Sequence, residues 1–457
     1  MSGDRSPVAI AGSAAFHRDL VAPSIREAVA GDGVYVIDGS GKRYLDGSSG
    51  SGPSCLGHSH PAVRRALHAQ IDRIAYAHTA FFTTRPMEDL AENLIADAPA
   101  PLTQVWFTNS GAEAADAAMK LTRQYFVDVG QPERHIVIGR RAGYVGSTLA
   151  ALSAGGNPAR RVPFAPVLPT NVRHIGPAYP YRGLMAGESL AAFALRTAGE
   201  LESAIQEAGP ERVSAFICET AVGSSLGAVM APEGYFREIR RICDRHGILL
   251  ILDEVMCGMG RVGRRYTFED EGIAPDMVML GKALAGGYGP LGAVLVSQAV
   301  YAGIRDNTGF FWHGHSFHGH ALSCAAALAV QREIQERDLY ANIRASGLLL
   351  DKLLRERFAD HPHVGEIRGR GLFQGVEFVA DRATKRTFDA AQGIAARLTE
   401  QALDLGLMCY ASGPSAENGV GDRVMLMPPY IVEPRHLEEL VDKLGLALDR
   451  ALRSAGI

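Results

Sequence analysis

Residues 248–282 read ILLILDEVMCGMGRVGRRYTFEDEGIAPDMVMLGK, and the two apolar runs in this segment decide the fold. Ile248–Leu252 and Met277–Leu280 are strand-sized and lack the polar alternation of a half-exposed strand. Runs of this kind are typical of strands in a parallel sheet that helices cover on both faces. An acid pair follows the first run, and Gly281-Lys282 follows the second.

The middle of the chain repeats this alternation of short apolar strands and helices. Strands interleaved with helices predict an α/β fold with a mostly parallel sheet. The further strands are predicted at Val105–Phe107, Ile136–Ile138, Ala215–Cys218 and Ala293–Val296, and the helices at Ala112–Phe126, Leu201–Glu207 and Tyr235–His246.

The flanking regions follow other patterns. Gly33–Leu45 predicts a hairpin, and residues 156–186, with six of the 23 prolines, predict a long ordered loop. The C-terminal part predicts a separate, smaller α+β domain. Its elements are a helical region over 321–358, strands within 364–378, a helix over 388–405, strands near 407–410 and 424–427, and a helix over 434–453.

We expect three segments in the chain. Residues 1–80 contribute to the small domain and the active-site wall, residues 81–335 form the large domain, and residues 336–457 form the C-terminal small domain. The 51 glycines among 457 residues exceed the average of about 7%. They indicate either diffuse linkers or positions where the backbone turns tightly or approaches a ligand.

Charge and composition exclude several classes of protein. The net charge is −4, so the chain lacks the basic character of proteins that bind nucleic acid or anionic membranes. No apolar run approaches about 20 residues, and the first twenty residues lack a signal-peptide pattern. The six scattered cysteines predict free thiols in a reducing cytoplasm.

Polar and ionisable side chains follow four of the predicted strands, at the point where each strand ends. Functional groups of a parallel sheet collect beyond the carboxyl ends of its strands, so we expect these side chains to face one crevice. They are the helix start Asn109-Ser110-Gly111, the acids Glu219 and Asp253, and Lys282.

The helix start offers a hydroxyl and backbone N–H groups at the positive end of a helix dipole, which suits a phosphate. The alternative is an ordinary cap, in which Ser110 or Asn109 satisfies the first-turn N–H groups. The chain has no G-x-x-x-x-G-K-[ST] motif, so a P-loop does not explain this pattern.

Lys282 ends a buried strand, where a lowered pKa suits Schiff-base formation with a carbonyl group. The alternative is a lysine whose charge extends into solvent. Asp253 ends the neighbouring strand, where its carboxylate would keep the ring nitrogen of pyridoxal phosphate protonated. The alternative for Asp253 is a structural cap or ion pair.

Two other patterns resemble functional motifs. Residues 258–263 fit G-x-G-x-x-G, but residues 264–268 have no helical apolar stripe, so we do not expect a dinucleotide site. The histidine-rich segment 313–320 lacks a carboxylate and any H-E-x-x-H spacing, so we do not expect a metal site.

Several segments together carry a family resemblance from about Gly33 to the C-terminus. The chain resembles the class III (ω-type) aminotransferases, which are pyridoxal-phosphate enzymes of fold type I. The segments that carry the resemblance are 44–46, 56–61, 107–114, 252–255, 260–261, 281–282, 286–287, 290–293, 314–317 and 367–372.

The resemblance implies an α/β fold with a central, mostly parallel seven-stranded sheet and a smaller α+β domain. It implies that Lys282 binds pyridoxal 5'-phosphate covalently and moves the substrate proton, and that Asp253 pairs with the ring nitrogen. It implies a homodimer or a dimer of dimers with shared active sites. The remaining implied cofactor contacts are Ser110, Gly111 and Ala112 at the phosphate, Tyr144 and Val255 on the two ring faces, Glu219 in the wall, and Ser316 from the neighbouring subunit.

The chain departs from the family pattern at three places. Tyr144-Val145-Gly146 stands where Tyr-His-Gly is usual, and Glu219-Thr220-Ala221-Val222 stands where Glu-Pro-Val is usual. Tyr410 falls where many relatives carry an arginine for the carboxylate of the acceptor. The candidate substrate contacts are therefore Phe82, Arg368 and Tyr410, with Arg370 and Arg161 as further candidates for the carboxylate.

The implied function is a cytoplasmic transaminase that moves an amino group from an amine or ω-amino acid to an α-keto acid such as pyruvate or 2-oxoglutarate, in a ping-pong sequence. Two alternatives use the same scaffold, namely an amino-acid or lactam racemase and a dialkylglycine-type decarboxylase. An alternative of another class is a non-catalytic interaction protein that retains the fold.

Overall fold

The computed structural model describes residues 15–16, 25–414 and 420–457. Most of the first twenty residues, for which no signal peptide is expected, lie outside the described residues. The beginning of the expected segment 1–80 also lies outside them.

A seven-stranded sheet forms the centre of the molecule. Six of its strands are parallel, and Gly292–Ser297 runs antiparallel to both of its neighbours. The prediction of a mostly parallel sheet is therefore confirmed. The strands in spatial order are Leu102–Thr108, Gly292–Ser297, Met277–Leu280, Leu249–Asp253, Val213–Glu219, Ile136–Arg140 and Val172–Ile175.

Burial explains why these apolar runs form strands. Every residue of Leu249–Asp253 and Val213–Glu219 is buried, as expected for strands covered on both faces. The helix Gly111–Asp128 packs Ala114, Ala117, Ala118 and Leu121 against the sheet at helical spacing. Small alanine side chains allow this helix to lie close to the strands that form the candidate site.

Helices cover the central sheet and the C-terminal region. They are Pro61–Ile71, Arg85–Ala96, Gly111–Asp128, Leu149–Ala154, Pro158–Arg161, Pro180–Gly183, Leu190–Ala208, Tyr235–His246, Gln298–Arg305, Ala321–Glu336, Leu339–Phe358, Ile394–Asp404 and Pro434–Ser454, with 3₁₀ turns at Val162–Val167, Thr267–Glu271, Lys282–Leu284 and Ala390–Gln392.

The described part of the chain also contains three smaller sheets. The predicted hairpin within Gly33–Leu45 is confirmed, and a C-terminal strand joins its sheet, which connects the two ends of the chain. These sheets contain Ala28–Asp32, Tyr35–Asp38, Arg43–Asp46 and Leu407–Met408 in the first, Val364–Arg370, Phe373–Phe378, Arg423–Leu426 and Tyr410–Ser412 in the second, and Ala221–Val222 with Val229–Met230 in the third.

The predicted long loop over 156–186 is wrong in part. This segment contains two short helices, a 3₁₀ turn and the strand Val172–Ile175, which forms one edge of the central sheet. The strand is only four residues long and includes Arg173 and His174, so its apolar pattern is weak. An edge strand pairs with a neighbour on one side only, so fewer of its side chains are buried than in a central strand. Its sequence can therefore be more polar.

Three C-terminal predictions also need correction. The helical region 321–358 is two helices, because Asp338 adopts a left-handed conformation with φ of 44° and caps the second helix. The helix predicted over 388–405 begins only at Ile394, after a short 3₁₀ turn. The strand predicted near 407–410 is two strands in different sheets.

Two further features of the molecule are the pairing state of its cysteines and the apolar length of its helices. All six cysteines are free, five of them are buried, and Cys409 is half-buried. Among the helices that the structure describes, none combines the length and apolar character needed to cross a membrane.

Two helical glycines provide a stability test. A Cβ at Gly347 would lie 2.4 Å from Gly371 Cα, whereas a Cβ at Gly199 would meet nothing within 4 Å. Gly347→Ala should lower stability by about 1–3 kcal/mol through overpacking. Gly199→Ala should raise it by about 0.5–1 kcal/mol, because alanine loses less backbone entropy in a helix.

The measurement is the unfolding midpoint of both variants under identical conditions. A stabilised Gly347→Ala variant would contradict the close packing of this helix against Gly371.

Candidate active site

Strand register brings the predicted ionisable groups together. Asp253 pairs with Glu219 on one side and with Met279 on the other, and Lys282 follows three residues after Met279. All three ionisable side chains line one cavity of about 350 Å³, together with Ser110 and Tyr144. The predicted crevice at the strand ends is therefore present.

Lys282 lies on a strained turn at the end of its strand. Its φ of 46° is left-handed, which costs a lysine about 1–2 kcal/mol. Desolvation lowers the pKa of its ammonium group from 10.5 to about 8, although the nearby charges of Asp253 and Glu219 act in the opposite direction. The amine is therefore deprotonated more easily than that of a surface lysine.

Gly52 covers the stem of Lys282. A Cβ at Gly52 would lie 3.4 Å from Lys282 Cδ, and the φ of Gly52 is 103°. A glycine at this position lets the backbone turn directly beside the lysine. The neighbouring Pro53 also lines the cavity.

Asp253 is a buried carboxylate with few partners. Its Oδ1 accepts a hydrogen bond from Val255 N at 2.9 Å, and no other described residue donates to the carboxylate. Burial raises its pKa well above 3.8, and the charge of Glu219 raises it further. A cationic group placed beside Asp253 would lower this pKa and favour the anionic form of the carboxylate.

The helix start is both a cap and an open cradle. Ser110 Oγ accepts from Glu113 N at 3.2 Å, which confirms the capping alternative, and residues 110–112 also line the cavity. The N–H groups of Gly111 and Ala112 have no intrahelical partner and are not used by this cap, so they remain available to an anion.

Glycine is required at position 111. A Cβ at Gly111 would lie 2.7 and 2.8 Å from the two methyl groups of Val255. Any larger residue would displace either the cradle or the valine that lines the cavity.

Glu219 holds two backbone segments at the wall of the cavity. Its Oε2 accepts from Tyr144 N and its Oε1 accepts from Gly223 N, both at 2.9 Å. Burial raises the pKa of this carboxyl, while Arg140 lowers it and donates to the backbone oxygen of Glu219. The carboxyl therefore holds the backbone that carries the Tyr144 ring.

The comparisons with known proteins agree with this geometry. The family model for class-III aminotransferases matches residues 21–448. The chain belongs to the class-III aminotransferases. An aminotransferase of Gibberella zeae is 40% identical over 421 residues, which cover 91% of this chain and 82% of that protein. Gamma aminobutyrate transaminase 3 of Solanum lycopersicum, a chloroplastic protein, is 36% identical and covers 91% of this chain and 79% of its own length.

Solved structures of similar enzymes share the fold. A thermostable omega transaminase mutant from Pseudomonas jessenii is 34% identical, with a TM-score of 0.90 and 95% coverage of both chains. The omega transaminase from the same organism in complex with PMP has a TM-score of 0.89 at 34% identity, and covers 95% of this chain and 94% of that one. This similarity shows that the chain has the fold of the fold type I transaminases. Class-III aminotransferases use pyridoxal phosphate.

The residues present fit that cofactor. A deprotonatable amine, a buried carboxylate without a cationic hydrogen-bond donor and a glycine-containing helix start face the same cavity. These groups match an aldehyde, a basic ring nitrogen and a phosphate.

Several predicted contacts of this class-III aminotransferase lie outside the cavity. Ser316 and Phe82 are exposed on the single chain, and Tyr410 packs half-buried against the cluster that contains Met425 and Met427. Arg370 forms an ion pair with Asp270.

Arg368 is held by structural partners. Its guanidinium pairs with Glu366 at 2.7 Å and Glu377 at 3.2 Å, and donates to the carbonyls of Leu226 and Gly227. These contacts fix the loop that follows Glu219.

Sequence reasoning missed two buried arginines. Arg140 lies at the end of Ile136–Arg140, two residues beyond the predicted end of that strand. Arg261 lies in two of the sequence patterns, but neither predicts its role: its buried guanidinium donates to Gly52 O at 3.2 Å and Pro428 O at 2.6 Å. The glycine-rich segment 258–263 thus positions Arg261, which holds the backbone of Gly52 beside Lys282. This structural role accounts for the G-x-G-x-x-G pattern, and no bound dinucleotide is needed to explain it.

The lowered pKa of Lys282 predicts a pH profile. Lys282 Nζ must be neutral to bond with the cofactor aldehyde, so reconstitution of cofactor-free enzyme should accelerate with pH around a midpoint near 8. The charge of Glu219 raises the pKa of Lys282, so Glu219→Gln should move the midpoint to lower pH. Stopped-flow absorbance after mixing with pyridoxal phosphate measures both midpoints.

Glu207→Gln is the control, because Glu207 is exposed on the helix Leu190–Ala208 and does not line the cavity. A midpoint near 10.5 in the unaltered chain would contradict the lowered pKa.

Proposed function

We propose that this chain binds pyridoxal 5'-phosphate on Lys282 and moves an amino group from an amine or ω-amino acid to an α-keto acid such as pyruvate or 2-oxoglutarate. The observation that carries the proposal is the convergence of Lys282, Asp253 and the helix start at Ser110 on one cavity. Membership of the class-III aminotransferases supports the reaction class.

The bound cofactor supplies an electron sink, which stabilises negative charge on the donor carbon next to the amino nitrogen. Lys282 Nζ, once neutral, would accept the proton from that carbon and deliver it to the aldehyde-derived carbon of the cofactor. Asp253 stays anionic when it faces a protonated ring nitrogen, and so maintains the sink. The fixed positions of these groups supply much of the acceleration through orientation.

The walls of the cavity orient the cofactor ring. We assign Tyr144 and Val255 to its two faces, because both line the cavity. The phosphate belongs at Ser110, Gly111 and Ala112, and Glu219 belongs in the wall as the anchor of Tyr144.

The lining also supports the donor class. Lys282 is the one cationic side chain among the described residues that line this cavity, and the lining includes the apolar side chains of Val145, Met256 and Leu291. These apolar side chains suit the hydrocarbon part of an amine or of an ω-amino acid.

Exposed aromatic side chains support a homodimer with shared sites. Phe82 and Trp312 are 68% and 70% exposed on the single chain, and Phe81, Phe310 and Phe317 are also exposed. Apolar surface of this kind marks protein interfaces. In the proposed dimer, Ser316 reaches the cofactor phosphate of the partner, and Phe82 lines the substrate pocket.

The proposal assigns the cofactor site to a domain over 81–335, with the small domain formed by residues 336–457 and part of 1–80. The six unpaired thiols favour the cytoplasm as the location.

The donor half-reaction tests the function. With a primary amine and no acceptor, holoenzyme should convert one equivalent of bound cofactor into pyridoxamine phosphate and release one equivalent of carbonyl product. Lys282→Ala should abolish this conversion, and Asp253→Asn should slow it by about 100-fold or more, because a charge-stabilising group of the site is lost. Asp244→Asn, outside the cavity, should match the unaltered chain.

Other outcomes identify the alternative reactions. Loss of optical activity at the α-carbon without pyridoxamine phosphate would indicate a racemase. Release of carbon dioxide from a dialkylglycine would indicate a decarboxylase. Normal turnover by Lys282→Ala would contradict the catalytic assignment.

A further inference from the structure

The carboxylate of the proposed α-keto-acid acceptor has no free cationic partner in the lining of the cavity. An α-keto acid carries a carboxylate next to its carbonyl group, and a carboxylate removed from water needs a cation or several N–H donors. Lys282 is the single cation among the described lining residues, and its nitrogen is committed to the reaction.

Most arginines near the cavity walls already have partners. Such guanidiniums donate to backbone carbonyls or pair with carboxylates, so a substrate would have to displace those contacts. They are Arg140 on Glu219 O, Arg261 on Gly52 O and Pro428 O, Arg368 on Glu366 and Glu377, Arg370 on Asp270, and Arg423 on Ser224 O and Gly413 O.

Arg160 differs from these residues. It lies in the helix Pro158–Arg161, and its guanidinium carbon is 4.8 Å from the centroid of the Tyr144 ring. Within the described part of the chain, its side chain makes no hydrogen bond and no ion pair. Arg160 is half-buried, so its charge is neither neutralised by the protein nor fully hydrated.

Arg160 does not line the cavity itself, but it contacts the Tyr144 ring, which does. Tyr144 lines the cavity, its N is held by Glu219, and its hydroxyl contacts Ser147 Oγ at 2.9 Å. An arginine over an aromatic face keeps its in-plane N–H groups free, and these groups can bind a carboxylate at two points.

We propose that Arg160 binds the carboxylate of the α-keto-acid acceptor and thereby sets a preference for anionic over neutral carbonyl acceptors. This inference rests on the proposed function, because it assumes transfer of the amino group to a carbonyl compound. Arg160 acts on substrate binding, whereas Lys282 and Asp253 act on the chemistry.

The test compares two acceptors on the holoenzyme loaded with pyridoxamine phosphate. Pyruvate carries the carboxylate, and propanal is a neutral carbonyl compound of the same chain length. Arg160→Gln should lower kcat/KM for pyruvate by about 10- to 100-fold, mainly through KM, because a charge-assisted contact is lost. The value for propanal should stay within about two-fold. Arg160→Lys should recover part of the loss, because it keeps the charge but not the planar fork.

Arg173→Gln is the matched control, since Arg173 is exposed on the strand Val172–Ile175 and does not line the cavity. Its kcat/KM for both acceptors should equal that of the unaltered chain. Equal losses for pyruvate and propanal in Arg160→Gln, weaker cofactor binding, or an unchanged value for pyruvate would each overturn the inference. A pyruvate-specific loss in Arg161→Gln alone would also overturn it.

Failure of the proposed function gives a different result. In that case the unaltered chain would transfer no amino group to either acceptor, and the inference about Arg160 would fall with it.

Discussion

Burial of ionisable groups at adjacent strand ends is the constraint on which the rest of the site depends. Asp253 and Glu219 are paired in strand register, and Lys282 follows the next strand. Removal of charges from water costs several kcal/mol per ion, and here backbone N–H groups of Val255, Tyr144 and Gly223 provide only part of the compensation. The pKa values of the two acids are therefore raised and that of the lysine is lowered, so the site responds strongly to a ligand that carries complementary charges.

The backbone around the site is strained at several non-glycine residues. Ser49, Ala142, Met259 and Lys282 all have positive φ values, which side chains rarely adopt. Strain of this kind persists only where the surrounding structure holds it, and it is often found at functional sites. Arg261 contributes by holding Gly52 O, and Gly52 in turn covers the stem of Lys282.

The central strands and the charged strand ends were predictable from sequence because their signals are local. The apolar runs before Asp253 and Lys282 identify buried strands, and register then brings the side chains together. The edge strand Val172–Ile175 was missed, because it is short, partly polar and flanked by prolines. The break at Asp338 was also missed, since its left-handed backbone leaves no mark on the apolar pattern. The neighbours of Arg160 and Arg261 are distant in sequence, so only the fold reveals whether such arginines are free or held.

The central claim is that Lys282 is the residue that binds the cofactor, and chemical trapping tests it most directly. Holoenzyme is reduced with sodium borohydride, which makes the bond between amine and cofactor permanent, and its peptides are then mapped by mass spectrometry. The account predicts one pyridoxyl label, on the peptide that contains Lys282, and none in the Lys282→Ala variant. A label on another lysine, or an active enzyme that carries no label, would contradict the account.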